Sequence, residues 1–273
     1  MRVLRSTEPR STKPRSTKPY PRLLLVPAVL ALALIVLPLV GLLARSDLSR
    51  FGELITSTSA LDALELSLRT AVASTVLCVV FGVPLAFVLA RGRFPGLRFV
   101  RSLVLLPLVL PPVVGGLALL YSLGRGGFLG QAIDFGFGVS VPFTTVAVVL
   151  AQTFVAMPFL VVGLEGAIRG NGQRYELVAG TLGAGPWTVF RRVTLPLLVP
   201  AIGSSVVLCF ARALGEFGAT ITFAGSLQGV TRTLPLQIYL ANETDVDGAV
   251  ALSILLVLLA IVVIVITRPK ALS

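Results

Sequence analysis

Few side chains in this 273-residue chain could do chemistry, and the gaps narrow the field. There is no histidine, which removes imidazole acid–base catalysis and histidine-ligated metal sites. The two cysteines, Cys78 and Cys209, each sit inside an apolar run without a CxxC pair or a disulfide framework, and read as small buried hydrophobes. A phosphate-cradling P-loop needs a Gly-Lys pair, and none occurs. Membrane-embedded hydrolase or transferase chemistry would need clustered carboxylates, and Glu216 with the boundary residue Glu165 are too few. One ionisable constellation remains. Arg212 and Glu216 stand at i,i+4 spacing in residues 210–221 (FARALGEFGATI), on one face of a helix. Such a pair inside an apolar run serves either as a structural salt bridge or as an electrostatic element that favours an anion beside Arg212. Gly215 and Gly218 leave one flank free of side chains, which permits close helix contact.

The elements that must position these residues follow from composition. The chain is 55% hydrophobic and 13% charged, whereas soluble domains carry about 25% charged residues. Neither a soluble single domain nor a disordered chain fits, so the class is an all-α integral membrane protein. Six apolar stretches are predicted to span: residues 23–43, 64–90, 103–123, 144–164, 199–223 and 249–266. The first exceeds the apolar core of a cleaved signal peptide and reads as a retained helix. Pro107, Pro111, Pro112, Gly115 and Gly116 interrupt the third, which bends or breaks there; a helix lining a pathway and plain kinked packing both account for it.

Residues 1–22 form a basic tail with the repeats RSTEP, RSTKP and RSTKP, and nothing in it to bury, so it is expected to be disordered. With this tail inside, Arg91, Arg93, Arg98 and Arg101 fall in the first inner loop. Arg169, Arg174, Arg191 and Arg192 fall in the second, and Arg268 and Lys270 near the carboxyl terminus, where 269–273 form a short tail. The opposite side holds only Arg45, Arg50, Arg125 and Arg232 among basic residues, together with most of the acids. The positive-inside rule then selects six spans with both termini cytoplasmic, and assigns the net charge of +11 to surfaces facing anionic lipid, not nucleic acid.

The second inner loop, residues 169–198, is long enough for two short helices. Residues 175–182 make the first, Gly183 to Gly185 the turn, and Pro186 opens the second. Val189, Phe190 and Val193 share a face with Arg191 and Arg192 beside it, a surface suited to a protein partner or the membrane.

This loop resembles the "EAA" loop of bacterial ABC-importer permeases, whose pattern is EAA, three residues, Gly, nine residues, Ile-x-Leu-Pro. Gly183 and Val193-Thr194-Leu195-Pro196 match its second half with Val for Ile. Leu177-Val178-Ala179 occupies the EAA positions, with the acid one residue earlier at Glu176. Residues 210–223 (FARALGEFGATITF) are similar to the molybdate-type branch, and the sulfate/thiosulfate branch shares the Phe-Ala-Arg…Gly-Glu core. The resemblance covers about residues 64–266.

The resemblance implies a six-helix permease of the molybdate/methionine-importer (MetI-like) fold over residues 23–268, in the bacterial cytoplasmic membrane. It implies that Glu176, Ala179, Gly183 and Pro186 belong to a coupling helix that docks on a separate ATPase, with Trp187, Phe190 and Val193 supplying apolar contact and Leu195-Pro196 closing the motif. It further implies a homodimer, two copies of the ATPase, which bind the ATP and Mg, and an extracytoplasmic oxyanion-binding protein. The chain itself would carry no cofactor, metal or catalytic residue. The implied cargo is molybdate, with tungstate as a near twin, and sulfate or thiosulfate as the alternative. A secondary anion transporter would show two similar halves with matched broken spans, and no such likeness is visible; ATP dependence separates the two classes.

Overall fold

The computed structural model describes residues 22–47 and 49–267. The repeat tail assigned to residues 1–22, save Arg22, and the tail of 269–273 lie outside the described residues. Among the described residues the fold is helical throughout, with no strand.

Helix α1 (Leu25–Arg45) is a unit of its own. The second unit begins with a short α2 (Phe51–Ile55); α3 (Thr58–Leu77), a π-helical turn at Cys78–Gly82 and α4 (Val83–Arg91) then make one long apolar span, Thr58–Arg91. Next come α5 (Leu97–Val109) and α6 (Pro112–Leu123), bent by 117° to one another. Helix α7 (Phe128–Phe137) connects them to α8 (Thr145–Gly170), whose amino end is capped by the Thr144 hydroxyl accepting the Ala147 N–H at 3.2 Å. The short α9 (Arg174–Thr181) and α10 (Pro186–Val189) follow, then a second π-helical turn at Phe190–Thr194 and α11 (Leu195–Leu214). The chain ends with α12 (Gly218–Phe223), α13 (Leu234–Thr244) and α14 (Val246–Thr267).

Among the described residues five helical segments are long and apolar enough to cross a membrane, and the bent α5–α6 pair makes a sixth if it counts as one. The predicted third span is therefore broken, not kinked. Leu110 and Pro111 are extended because a residue that precedes proline is pushed out of the α region, and Pro112 restarts the helix at its first position. The predicted fifth span is also corrected. Helix runs continuously from Pro186 to Leu214, thirteen residues earlier than the expected start at 199, and stops at Gly215 before resuming as α12. Both π-turns end with one residue intervening before a proline, Pro84 and Pro196, that lacks the N–H an α-helix would use; widening the preceding turn relieves the clash of its ring with the backbone.

Helix α8 packs against α3, α4, α5, α6, α11 and α12 and forms the centre of the second unit. Its small residues Ala147, Ala151 and Ala156 let neighbours approach closely, as does Gly82, where an added Cβ would lie 3.0 Å from the Leu160 side chain. The two broken spans meet through their second halves: α6 lies on α12, and a Cβ at Gly116 would stand 2.7 Å from the Ala219 carbonyl oxygen. Cys78 and Cys209 are free thiols, fully buried in one cluster with Ala71, Ala156 and Leu160, as the sequence suggested.

Candidate functional site

The site is built where α4, α8, α9 and α11 end or begin together. Helix α9 is stopped by Gly183 in the left-handed region at φ +84°, which glycine reaches without the penalty a Cβ would bring. The Gly183 N–H donates to the Gly180 carbonyl at 3.0 Å and the Ala184 N–H to the Ala179 carbonyl at 3.1 Å. This is a Schellman end, and it satisfies carbonyls that the helix leaves unpaired. Pro186 then occupies the first turn of α10, as predicted, and the hairpin of residues 174–189 is complete.

Glu176 fixes this hairpin to the body. Arg91, the last residue of α4, donates from Nη1 to Oε2 at 2.5 Å and from Nη2 to Oε1 at 2.6 Å. The Thr194 hydroxyl donates to Oε1 at 2.5 Å. A two-pronged arginine–carboxylate pair is among the stronger and more directional polar contacts available to a protein. Burial works to raise the Glu176 carboxyl. The hydrogen bonds from Arg91 and Thr194 and the Arg91 charge outweigh it and hold the group below its ordinary value, so it stays ionised. An aromatic contact reinforces the same joint: Phe190 meets Phe87 of α4 edge-on at 5.3 Å between centroids, and Trp187 stacks on Phe190 at 5.6 Å.

The outward face of the hairpin is apolar. Leu182 is 83% exposed, Trp187 70% and Leu177 66%, with Val178 and Tyr175 beside them. Phe190 and Val193 are half-buried and Phe190 turns toward α4, so within the expected apolar set only Trp187 is fully presented. Ala179 is half-buried, Gly183 is open to solvent with nothing within 4 Å of an added Cβ, and Leu195-Pro196 opens α11. In the sequence Leu177 and Val178 stand only as occupants of the EAA positions and Leu182 only as the end of the first short helix; an i,i+1,i+5 pattern on so short a helix gives no periodic signal of an apolar face.

Arg212 and Glu216 do form an ion pair, at 2.7 Å, but not on one continuous helix face. Helix α11 has ended at Leu214, and Glu216 bridges the break. Its Oε2 pairs with Arg212 and its Oε1 accepts the Ala219 N–H of α12 at 2.8 Å, with the residue 1% exposed. Gly218 makes a close approach, 2.7 Å from an added Cβ to the Pro112 side chain, whereas Gly215 has no neighbouring helix within reach.

A second ionic cluster was not anticipated as a unit. Glu165 of α8 accepts from Arg101 Nε at 2.9 Å and forms an ion pair with Arg169 Nη2 at 2.8 Å. Both arginines also donate to the Leu89 carbonyl of α4, each at 3.0 Å. Sequence showed these arginines only as loop charge. Their partners are 64 and 80 positions away for the Arg101–Glu165 and Arg169–Leu89 contacts. Among the described residues no group of three or more acidic, cysteine or histidine side chains could hold a metal.

The second unit is thus a helical bundle with broken spans and a hairpin tied to the end of α4 and to Thr194, just before α11. Residues 82–268 match the family described as the binding-protein-dependent transport system inner membrane component. The chain belongs to this family: it is a multi-pass inner-membrane permease of an ABC importer, a transport subunit and not an enzyme. It is 59% identical over 244 residues to the molybdenum transport system permease protein ModB of Mycobacterium tuberculosis, covering 89% of this chain and 92% of that one. It is 41% identical to the protein of the same name from Escherichia coli K12, over 76% of this chain and 91% of that one. The sulfate transport system permease protein CysT of Escherichia coli K12 is 35% identical, over 81% and 80% of the two chains. In fold the chain is similar to a chain of a bacterial alginate ABC transporter crystallised with its periplasmic protein, with a TM-score of 0.70, 18% identity, and 90% and 91% coverage.

Proposed function

We propose that this permease moves molybdate, or the closely similar tungstate, into the cell. Support comes from its 59% identity to a relative named for molybdenum transport, against 35% to one named for sulfate. We read the complex as two copies of this chain, two copies of a separate ATPase, which bind ATP and Mg, and an extracytoplasmic oxyanion-binding protein that delivers cargo. Both termini lie on the cytoplasmic side, as does the α9–α10 hairpin. There the exposed face of Leu177, Leu182 and Trp187, with Gly183 at its tip, seats on the ATPase. Closure of the ATPase pair on ATP draws the hairpins together. Because Glu176 ties the hairpin to Arg91 and Thr194, that displacement passes to α4 and α11 and turns the spans from inward-facing to outward-facing. Hydrolysis resets them.

The cargo is tested by labelled-anion uptake in a strain deleted for the gene. Restoration of molybdate uptake by the chain, unaffected by excess sulfate, is expected; uptake of sulfate competed only by thiosulfate assigns the alternative cargo. ATP dependence in proteoliposomes with the ATPase and binding protein present tests the mechanism.

A further inference from the structure

The carboxyl end of α4 is held from two sides by groups that belong to different helices. On one side Arg91 is gripped by Glu176 of α9. On the other, two residues back, the Leu89 carbonyl accepts from Arg101 of α5 and Arg169 of α8. That carbonyl is in the last turn of α4, where a helix leaves its acceptors unpaired and where its dipole favours cations. Glu165, 8% exposed, holds both arginines in position through one oxygen. Leu89 itself is buried with Ala86, Val161, Leu164 and Leu198, against which Leu97, Val100 and Val104 of α5 pack. Helix α5 leads directly to the 117° bend, and beyond it α6 lies on α12.

We infer that Arg101 and Glu165 are positioning residues of a relay, in which the end of α4 passes the movement of α9 to α5 and so to the α5–α6 bend. The relay rests on the reading of α9 as the docking helix and adds to it a second route, independent of the one into α11. Arg101 is suited to the task because its fork reaches two targets with different nitrogens, Nε to Glu165 and Nη2 to Leu89. A lysine keeps the charge but presents it from a single nitrogen and cannot reproduce the fork that spans the two targets.

The test compares wild type, Arg101→Lys and Glu165→Gln in proteoliposomes with the ATPase and binding protein, reading labelled anion imported per ATP hydrolysed. In both variants ATP hydrolysis continues near the wild-type rate while anion per ATP falls about tenfold, within the usual range of a coupling between sites. An unchanged ratio, or transport and hydrolysis falling together, overturns the relay and leaves the docking reading intact. The docking reading fails separately, if Gly183→Leu keeps full substrate-stimulated hydrolysis. A second readout needs no change at the cluster. A cysteine at Val109, which is 80% exposed at the end of α5, is labelled by a polar maleimide with and without ATP and vanadate. Trapping changes the labelling rate severalfold if the relay operates, and an unchanged rate contradicts it.

Discussion

Arg91 and Glu176, 85 positions apart, close on each other through two parallel hydrogen bonds of 2.5 and 2.6 Å and join the last residue of α4 to the first turn of α9. The Thr194 hydroxyl completes the joint from the start of the α11 span. The hairpin's other ties are the glycine-containing link at Asn171–Gly172, the helix that continues from α10 into α11, and the aromatic contact with Phe87. The joint makes the hairpin a lever fixed to two spans.

Breaking it has a defined cost. Glu176→Gln or Arg91→Ala removes charge-assisted hydrogen bonds of about 1.5–3 kcal/mol at this half-buried position. The spans stay inserted, α9 comes loose, and limited proteolysis cuts within residues 172–185 faster than in wild type. Arg91→Lys gives most of the same loss, because a single ammonium nitrogen cannot reproduce the planar two-nitrogen match to the carboxylate.

The joint also has a pH signature. The Glu176 carboxyl lies below its ordinary value of 4.5 in the folded protein, so the unfolded hairpin binds more protons as the medium acidifies. Its contribution is complete above the ordinary value and is lost as pH falls through the lowered one. Protease protection of the hairpin should therefore be flat from about pH 5 to 8 and decline only in stronger acid. In Glu176→Gln the acid limb should disappear.

Gly183 separates backbone need from partner contact. Its φ of +84° strains any residue with a Cβ, by about 1–2 kcal/mol for most and less for asparagine. Space around it within this chain is open. Gly183→Ala and Gly183→Asn should therefore both leave the chain folded. If the turn seats on the ATPase, both lose substrate-stimulated hydrolysis. If only the backbone conformation matters, Asn retains it and Ala does not.

Arg212 acts on the break between α11 and α12. Removing it by Arg212→Ala leaves the Glu216 carboxylate buried without its counter-charge, a loss of about 3–5 kcal/mol. Membrane levels of the protein and uptake should fall in parallel, and Arg212→Ala with Glu216→Gln should recover much of the lost protein. Loss of uptake with wild-type levels would instead place Arg212 on the anion's path.

Much of this is legible in the sequence. Hydropathy located the spans because a bilayer demands long apolar runs. Gly183 and Pro186 marked the turn and the helix start because few other residues suit those positions. Local signals fell short where distant partners decide the outcome. Arg91, Arg101 and Arg169 looked like solvated loop charge, and only packing brings them to Glu176, Glu165 and Leu89. The early start of the α11 span was hidden because Pro196 and Pro200 look like stop signals, and the π-turn before Pro196 is a tertiary accommodation. Phe190 shared an apolar face with Trp187 by periodicity, yet Phe87 draws it inward.

The central claim is that the α9–α10 hairpin is gripped by an ATP-hydrolysing partner. A photo-crosslinking residue at Leu182, 83% exposed at the hairpin tip, tests it in intact membranes. The account predicts one dominant adduct with the ATPase subunit, altered in yield when ATP and vanadate trap the complex. Adducts with lipid alone, together with uptake by the purified chain in the absence of ATP, would contradict it.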